Sequence, residues 1–293
     1  MLKFSFIGLI LFFRIINCSA QLPDTDIWLL DIKTEKDSVI ISNPVNITNR
    51  KGYDNQPSFS PDGTYILYTS IRDEKQSDIY KYDLTTKTSK QFTNTSTSEY
   101  SPLVMPDGKN VSVVMVESDS TQRLWEFPIK GGAPELIMKD VDSIGYYCWI
   151  ATDILAIISA SEDPQVLSVV NITTQKPKVI ANNVGRCIQK INTNTLLFVQ
   201  KDTLRNGTFT ELNLRSNTIS KVKCDTPTLP GNEDYFFKGS IFMGNKEKIY
   251  YQDCNKKVWK DVMNLSSYGI VNIKRMTISP DGKKMVIVAE TKD

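Results

Sequence analysis

Asp54, Asp73 and Glu74 are the carboxylates whose loop positions could set a general acid beside a general base, which is enough for hydrolysis or elimination without a metal. Around them fall Tyr53, Arg72, Tyr100, Tyr147, Arg186, Asp234 and Tyr235. Tyr and Arg are the types concentrated at binding hot spots, so this set reads better as a contact surface than as catalytic machinery. The chain has no histidine. That excludes triads that use histidine as base and metal sites that use it as ligand. No Gly-x-Ser-x-Gly elbow, phosphate loop or dinucleotide fingerprint occurs, and the cysteines lack zinc spacing. The expectation is no catalytic residue, no cofactor and no metal.

Residues so far apart can share a site only if the fold gathers them, and the chain carries a repeat that does so. Pro57-Ser58-Phe59-Ser60-Pro61-Asp62-Gly63, Pro102-Leu103-Val104-Met105-Pro106-Asp107-Gly108 and Met276-Thr277-Ile278-Ser279-Pro280-Asp281-Gly282 are variants of one segment. The first two Pro-Asp-Gly prolines lie 45 residues apart and the third follows after 174, four intervals of about 43 to 44. A period of this length built from short strands is that of propeller blades. In each tetrad Pro presets φ, Asp bonds nearby backbone and Gly accepts a positive φ. Asp62, Asp107 and Asp281 are therefore read as turn formers between the innermost strand and the next, not as acids.

Two apolar strand patterns recur in the same order through the chain. The first falls at 65–69, 111–116, 154–159, 195–200, 248–252 and 285–290, the second at 26–31, 78–83, 123–128, 166–171, 209–214 and 257–262. The second series starts first and the first series ends last. The fold class is thus all-β, a six-bladed β-propeller with one blade closed jointly by N- and C-terminal strands, since an open ring would leave sheet edges unpaired. Trp28, Tyr80, Trp125 and Trp259 recur at one position of the third strand, as packing between blades requires. Loops entering the first strands and loops joining second to third strands share one face of such a ring. That face should gather Tyr53, Asp54, Arg72, Asp73, Tyr100, Tyr147, Arg186, Asp234 and Tyr235 around the channel mouth. The loop from Cys224 to Tyr235 is longer than most connections, which points to function.

The segment from Pro57 to Ser70, followed by Asp78-Ile79-Tyr80-Lys81-Tyr82-Asp83 and Phe92-Thr93, resembles the WD40-like (PD40) repeats of the TolB propeller family. The match is close at 57–93, fair at 102–138 and partial in the terminal blade; the other blades share only the hydrophobic rhythm. The resemblance implies an exported propeller serving as a protein-interaction platform in the bacterial cell envelope. TolB carries an α/β domain ahead of its propeller, where this chain has 25 residues before its first blade strand.

Export is also written at the N-terminus. Lys3 is followed by an apolar run from Phe4 to Phe13 and a small-residue site, Cys18-Ser19-Ala20, the pattern of a signal peptide over 1–20 with the propeller occupying 21–293. A lipoprotein signal, with Cys18 lipidated, is the competing reading and the one route to membrane attachment. Beyond residue 20 basic and acidic side chains balance at 33 each, which argues against nucleic acid as a partner. Cys148, Cys187, Cys224 and Cys254 form an even set suited to an oxidising compartment. The preferred pairing is 148 with 187 and 224 with 254; four buried thiols is the alternative. Six Asn-x-Ser/Thr sequons carry no weight in a chain this rich in those residues. The resulting expectation is a periplasmic or secreted monomer that binds an unidentified envelope protein or peptide. The alternatives are a propeller sensing carbohydrate or a small ligand, and a histidine-independent hydrolase or lyase at the channel mouth.

Overall fold

In a computed structural model, residues 23–35, 38–72, 76–204, 206–222, 224 and 233–292 are described, with the side chains of Glu233 and Asp234 excepted. Residues 1–20, expected to be a signal peptide, with Cys18, and also Asp73, Glu74, most of the long loop after Cys224 and the Asp234 side chain lie outside the described residues.

Six four-stranded antiparallel sheets make up the fold. Blade one is β3 (Tyr53–Phe59), β4 (Tyr65–Ile71), β5 (Ser77–Asp83) and β6 (Thr88–Gln91). Blade two is β7 (Ser98–Val104), β8 (Asn110–Val116), β9 (Gln122–Pro128) and β10 (Glu135–Leu136). Blade three is β11 (Ile144–Trp149), β12 (Ile154–Ser159), β13 (Val166–Asn171) and β14 (Lys178–Asn182). Blade four is β15 (Val184–Asn192), β16 (Thr195–Lys201), β17 (Gly207–Asn213) and β18 (Thr218–Lys221). Blade five is β19 (Glu233–Phe237), β20 (Ser240–Asn245), β21 (Lys248–Asp253) and β22 (Trp259–Asn264). The sixth is shared: β23 (Ile270–Ile278) and β24 (Lys284–Thr291) supply its inner strands, β1 (Asp26–Glu35) and β2 (Ser38–Asn46) its outer ones. The seam is the pairing of β1 with β24, from Asp26 opposite Ala289 to Asp31 opposite Lys284, as the offset of the two sequence patterns requires.

The second strand of each blade is buried on both faces, which is why it reads as an unbroken apolar run. Alternate residues serve alternate neighbours. In β4, Ile66 and Tyr68 pack with Ile27, Val286 and Val288 of the shared blade, while Leu67 packs with Val111 and Val113 of blade two. Corresponding layers join blades two and three, three and four, four and five, and five to the shared blade. The core is therefore a ring of interblade layers, closed at the seam.

The turns follow their residues. Gly63 donates its N–H to Ser60 O at 2.9 Å, and Asp62 accepts from the Ser60 hydroxyl at 2.6 Å and the Thr64 amide at 3.1 Å. Asp281 repeats this with Ser279 and Lys283, and Asp107 caps Lys109 N–H at 2.8 Å. These hydrogen bonds, led by those from Ser60 and Ser279, hold Asp62 and Asp281 below the usual carboxylate range. Gly63 and Gly282 have φ of 68° and 79°. A Cβ at Gly63 meets nothing within 4 Å, whereas one at Gly282 would come within 2.6 Å of the Phe237 ring. Gly63→Ala is expected to cost about 1 kcal/mol from φ alone. Gly282→Ala must also displace Phe237 from the layer beside blade five, so its urea midpoint should fall further; equal midpoints would contradict this.

Two expectations need correction. In blade five the second strand is Ser240–Asn245 and the third is Lys248–Asp253, so 248–252 and 257–262 each lie one strand later in the blade than the sequence pattern predicts. Ser240–Asn245 is disguised by Gly244, whose missing Cβ makes room for Ile273: an added Cβ would lie 2.6 Å from that side chain. Consequently Tyr250, not Trp259, occupies the third-strand position of Trp28, Tyr80 and Trp125. Trp28 packs toward blade five, Tyr80 toward the shared blade and Trp125 toward blade one, while Trp259 packs from the outer strand against the layer between blades four and five. Of the two disulfides, Cys224–Cys254 forms, but Cys148 and Cys187 are not joined. Although their strands are adjacent, Cys148 faces the layer between blades three and four and Cys187 the layer between four and five.

Candidate functional site at the channel mouth

The first strand of every blade borders the central channel, where a cavity of about 190 Å³ takes one wall residue or more from each: Gln56, Ser101, Tyr146, Arg186, Tyr235 and Arg275 among them. The strands are not regular there. Pairing slips between Asn55 and Ser58, Tyr100 and Leu103, Ile144 and Tyr146, Val184 and Ile188, and Ile273 and Arg275. Gln56 and Ser101 take positive φ, 53° and 52°, at the slips. A bulge breaks the two-residue alternation and re-aims a side chain, and here it places polar residues on the channel wall. Gln56 ties two blades together by accepting from Thr69 Oγ1 at 2.9 Å and from Ser101 N–H at 2.8 Å.

Arg275 is the centre of the site. Its Nε donates to Asn55 Oδ1 at 2.8 Å and its Nη2 to Tyr146 Oη at 3.2 Å, with the guanidinium 5.1 Å from the Tyr146 ring centroid. Arg186, exposed at the mouth, donates from Nη2 to Lys274 O at 3.3 Å. Burial pushes the Tyr146 phenol up, but Arg275 and Arg186 together outweigh it and leave the group below its ordinary value. Burial also raises Tyr53, to about 12, against the opposing pull of Arg275. Arg186 is lowered by burial and then by its neighbour Arg275, as expected where two cations share a confined space. The mouth is thus a positive, phenol-walled pocket.

Of the residues expected at this face, Tyr53, Arg186 and Tyr235 reach the channel group, and Tyr100 lines a second cavity beside it. The Tyr235 hydroxyl is already engaged by Thr277, and burial raises it. Tyr147 also borders the cavity but is 5% exposed, with its hydroxyl hydrogen-bonded to Ser101 O at 2.9 Å and to Ser112. Asp54 is fully buried and ion-paired with Arg50 at 3.0 Å. Arg72 lies 3.8 Å over the Tyr80 ring and donates to Tyr68 Oη at 3.2 Å, which anchors it to blade one. Gln56, Tyr146 and Arg275 are channel residues that the loop-based reading overlooked. Gln56, Ser101 and Arg275 each stand four residues before the residue preceding Pro-Asp-Gly, so the repeat itself marks the position.

Among the described residues no helix is long and apolar enough to cross a membrane, and no group of three potential metal-ligating acidic, cysteine or histidine side chains gathers. No protein-family model matches the chain, and no curated protein matches it in sequence. Solved structures match its fold. A putative TolB from Agrobacterium tumefaciens is 12% identical over 93% of this chain and 100% of that one, with a TM-score of 0.68. TolB from Acinetobacter baumannii is 13% identical over 92% of this chain, with a TM-score of 0.58, and this chain spans 65% of its length. An oligogalacturonate lyase from Vibrio parahaemolyticus is 13% identical over 87% of this chain and 83% of that one, with a TM-score of 0.54. The likeness is one of fold: a TolB-like propeller whose architecture also carries a lyase.

Proposed function

We propose that the protein is an exported, non-catalytic β-propeller that binds a protein or peptide segment at its channel mouth. The observation that carries this reading is the cluster of Arg275, Arg186 and Tyr146, aimed into a recess by bulges in the inner strands of the shared blade, blade four and blade three, with Tyr53 in electrostatic reach of it. Arg and Tyr in a partly desolvated recess are the residues from which binding hot spots are made. The leader-like N-terminus and the Cys224–Cys254 disulfide support a periplasmic or secreted setting. Tethering through Cys18 is the variant of the same reading that keeps the propeller at a membrane.

The test is cross-linked affinity capture from the native envelope with the parent protein and the double variant Tyr100→Ala, Arg186→Ala. Arg186 gives up a 3.3 Å hydrogen bond to Lys274 O at the exposed mouth, so melting should fall only slightly while a captured partner is lost. Equal captures, or none, would remove the mouth as a docking surface. A second reading, a histidine-independent lyase or hydrolase, is favoured by Tyr146, a phenol whose proton two guanidiniums loosen. Turnover of an envelope polymer that disappears in Tyr146→Phe would establish it in place of the first.

A further inference from the structure

Arg275 differs from its basic neighbours in how its charge is met. Lys274 pairs with Glu290 at 2.9 Å and Arg50 with Asp54 at 3.0 Å. Arg275 makes its hydrogen bonds to neutral groups, the Asn55 amide and the Tyr146 phenol, and forms no ion pair with a carboxylate among the described residues. A guanidinium has five donors in a planar fork. Two are used here, and the bonds to Asn55 and Tyr146 fix the plane of the remainder at the channel wall. Among the described residues, neither the channel cavity nor the one beside it has an Asp or Glu in its lining, so these walls do not repel an incoming anion.

The second cavity, of about 430 Å³, shares Gln56 and Tyr146 with the channel and runs outward between blades two and three. Val114 and Tyr100 give it apolar surface, and Gln122 and Gln165 add amides to that of Gln56. Each amide can both donate and accept, which suits the alternating N–H and C=O of an extended main chain. The channel recess, at about 190 Å³, has room for a side chain or a chain end rather than for a string of sugar rings. We infer that the mouth takes a peptide carboxylate, gripped in the channel by Arg275 with Arg186 beside it, with the adjoining peptide lying along the groove toward Gln122 and Gln165. This inference rests on the binding reading above and names its ligand class.

The test uses fluorescence anisotropy of the full propeller with fluorescein-labelled hexaglutamate and with C-terminally amidated hexaglutamine, which has no carboxylate, and with unlabelled oligogalacturonate as competitor. Hexaglutamate should bind at least about tenfold more tightly than hexaglutamine, with affinity falling as salt rises. Arg275→Gln should lose about tenfold for hexaglutamate and little for hexaglutamine. Because Arg275 also braces Asn55 and Tyr146, Ala160→Trp provides an independent variant: Ala160 is exposed on the groove wall, and the indole should block the peptide while leaving the guanidinium in place. Lys248→Gln, which releases Asp261 on the outer strand of blade five and lines neither cavity, should change nothing. Equal binding of the two peptides, with Arg275→Gln silent, would overturn the carboxylate and leave the binding module standing. Displacement of hexaglutamate by oligogalacturonate at concentrations well below those at which unlabelled hexaglutamate competes would assign the site to acidic sugars and overturn both. Failure of every probe would overturn the carboxylate inference, and partner capture would then judge the binding reading separately.

Discussion

Deletion of residues 279–293 is expected to abolish the cooperative unfolding transition of the whole propeller, not merely to loosen its last strand. The deletion removes all of β24, whose Met285, Val286, Ile287, Val288 and Ala289 are fully buried. Val286 and Val288 belong to the layer against blade one, and Met285, Ile287 and Ala289 to the layer against blade five. One strand therefore serves two interfaces, and its loss also strands β1 and β23, which pair with each other only through it. Burial of each large aliphatic side chain contributes about 1.5 to 3 kcal/mol. Four of them amount to most of the 5 to 15 kcal/mol by which a domain is typically stable. Calorimetry and circular dichroism of the truncated chain should show no transition at the parent temperature. A circular permutant that links β24 directly to β1 and opens the chain between β22 and β23 keeps every pairing, and should melt near the parent. An unchanged melt of the truncated form would refute closure at this seam.

The same two levels of organisation explain what the amino-acid sequence discloses and what it conceals. Pro61-Asp62-Gly63 and its counterparts are legible because turn chemistry is local: Asp62 caps the very residues that flank it. The shared blade is legible because six strand patterns in each of two series can be counted and found out of step. Blade five is harder, since Gly244 serves a contact with Ile273, a residue 29 positions away that no local pattern reveals. The cysteines fail for a related reason. Strand position places Cys148 and Cys187 close together, but facing decides pairing, and the two thiols lie in different layers. At the channel mouth, strict alternation favours Tyr147, while the slip between Ile144 and Tyr146 puts Tyr147 into the core and Tyr146 on the channel. Bulges reverse facing without altering residue types, so only counting from the repeat could have found Tyr146 or Arg275.

Glu99→Gln is expected to make the propeller more stable at pH 8 and nearly neutral in effect at pH 4. Glu99 lies on β7 in the interface of blades one and two, fully buried. Its carboxyl accepts from Thr93 Oγ1 at 2.9 Å, from Thr97 Oγ1 at 3.3 Å and from the Thr95 hydroxyl. Burial nevertheless dominates and, helped by the nearby Asp78 carboxylate, pushes Glu99 up to about 7 from an ordinary 4.5. Between those values the folded protein holds a proton that the unfolded chain has released. Stability from this group is therefore full below about pH 4.5, falls as pH rises through the window, and is gone above about 7. The shift corresponds to about 3 kcal/mol at most. Glutamine keeps the carboxyl's shape and one carbonyl acceptor but cannot ionise, so the variant should lack this slope. Asp54, likewise raised by burial, contributes in the same direction to both proteins and cancels in the comparison. Urea unfolding of the parent and the variant at pH 4, 6 and 8 should give curves that diverge with rising pH, the variant above. Parallel pH profiles would show that Glu99 ionises in the fold at little cost, and would require water or a cation to reach it between the blades.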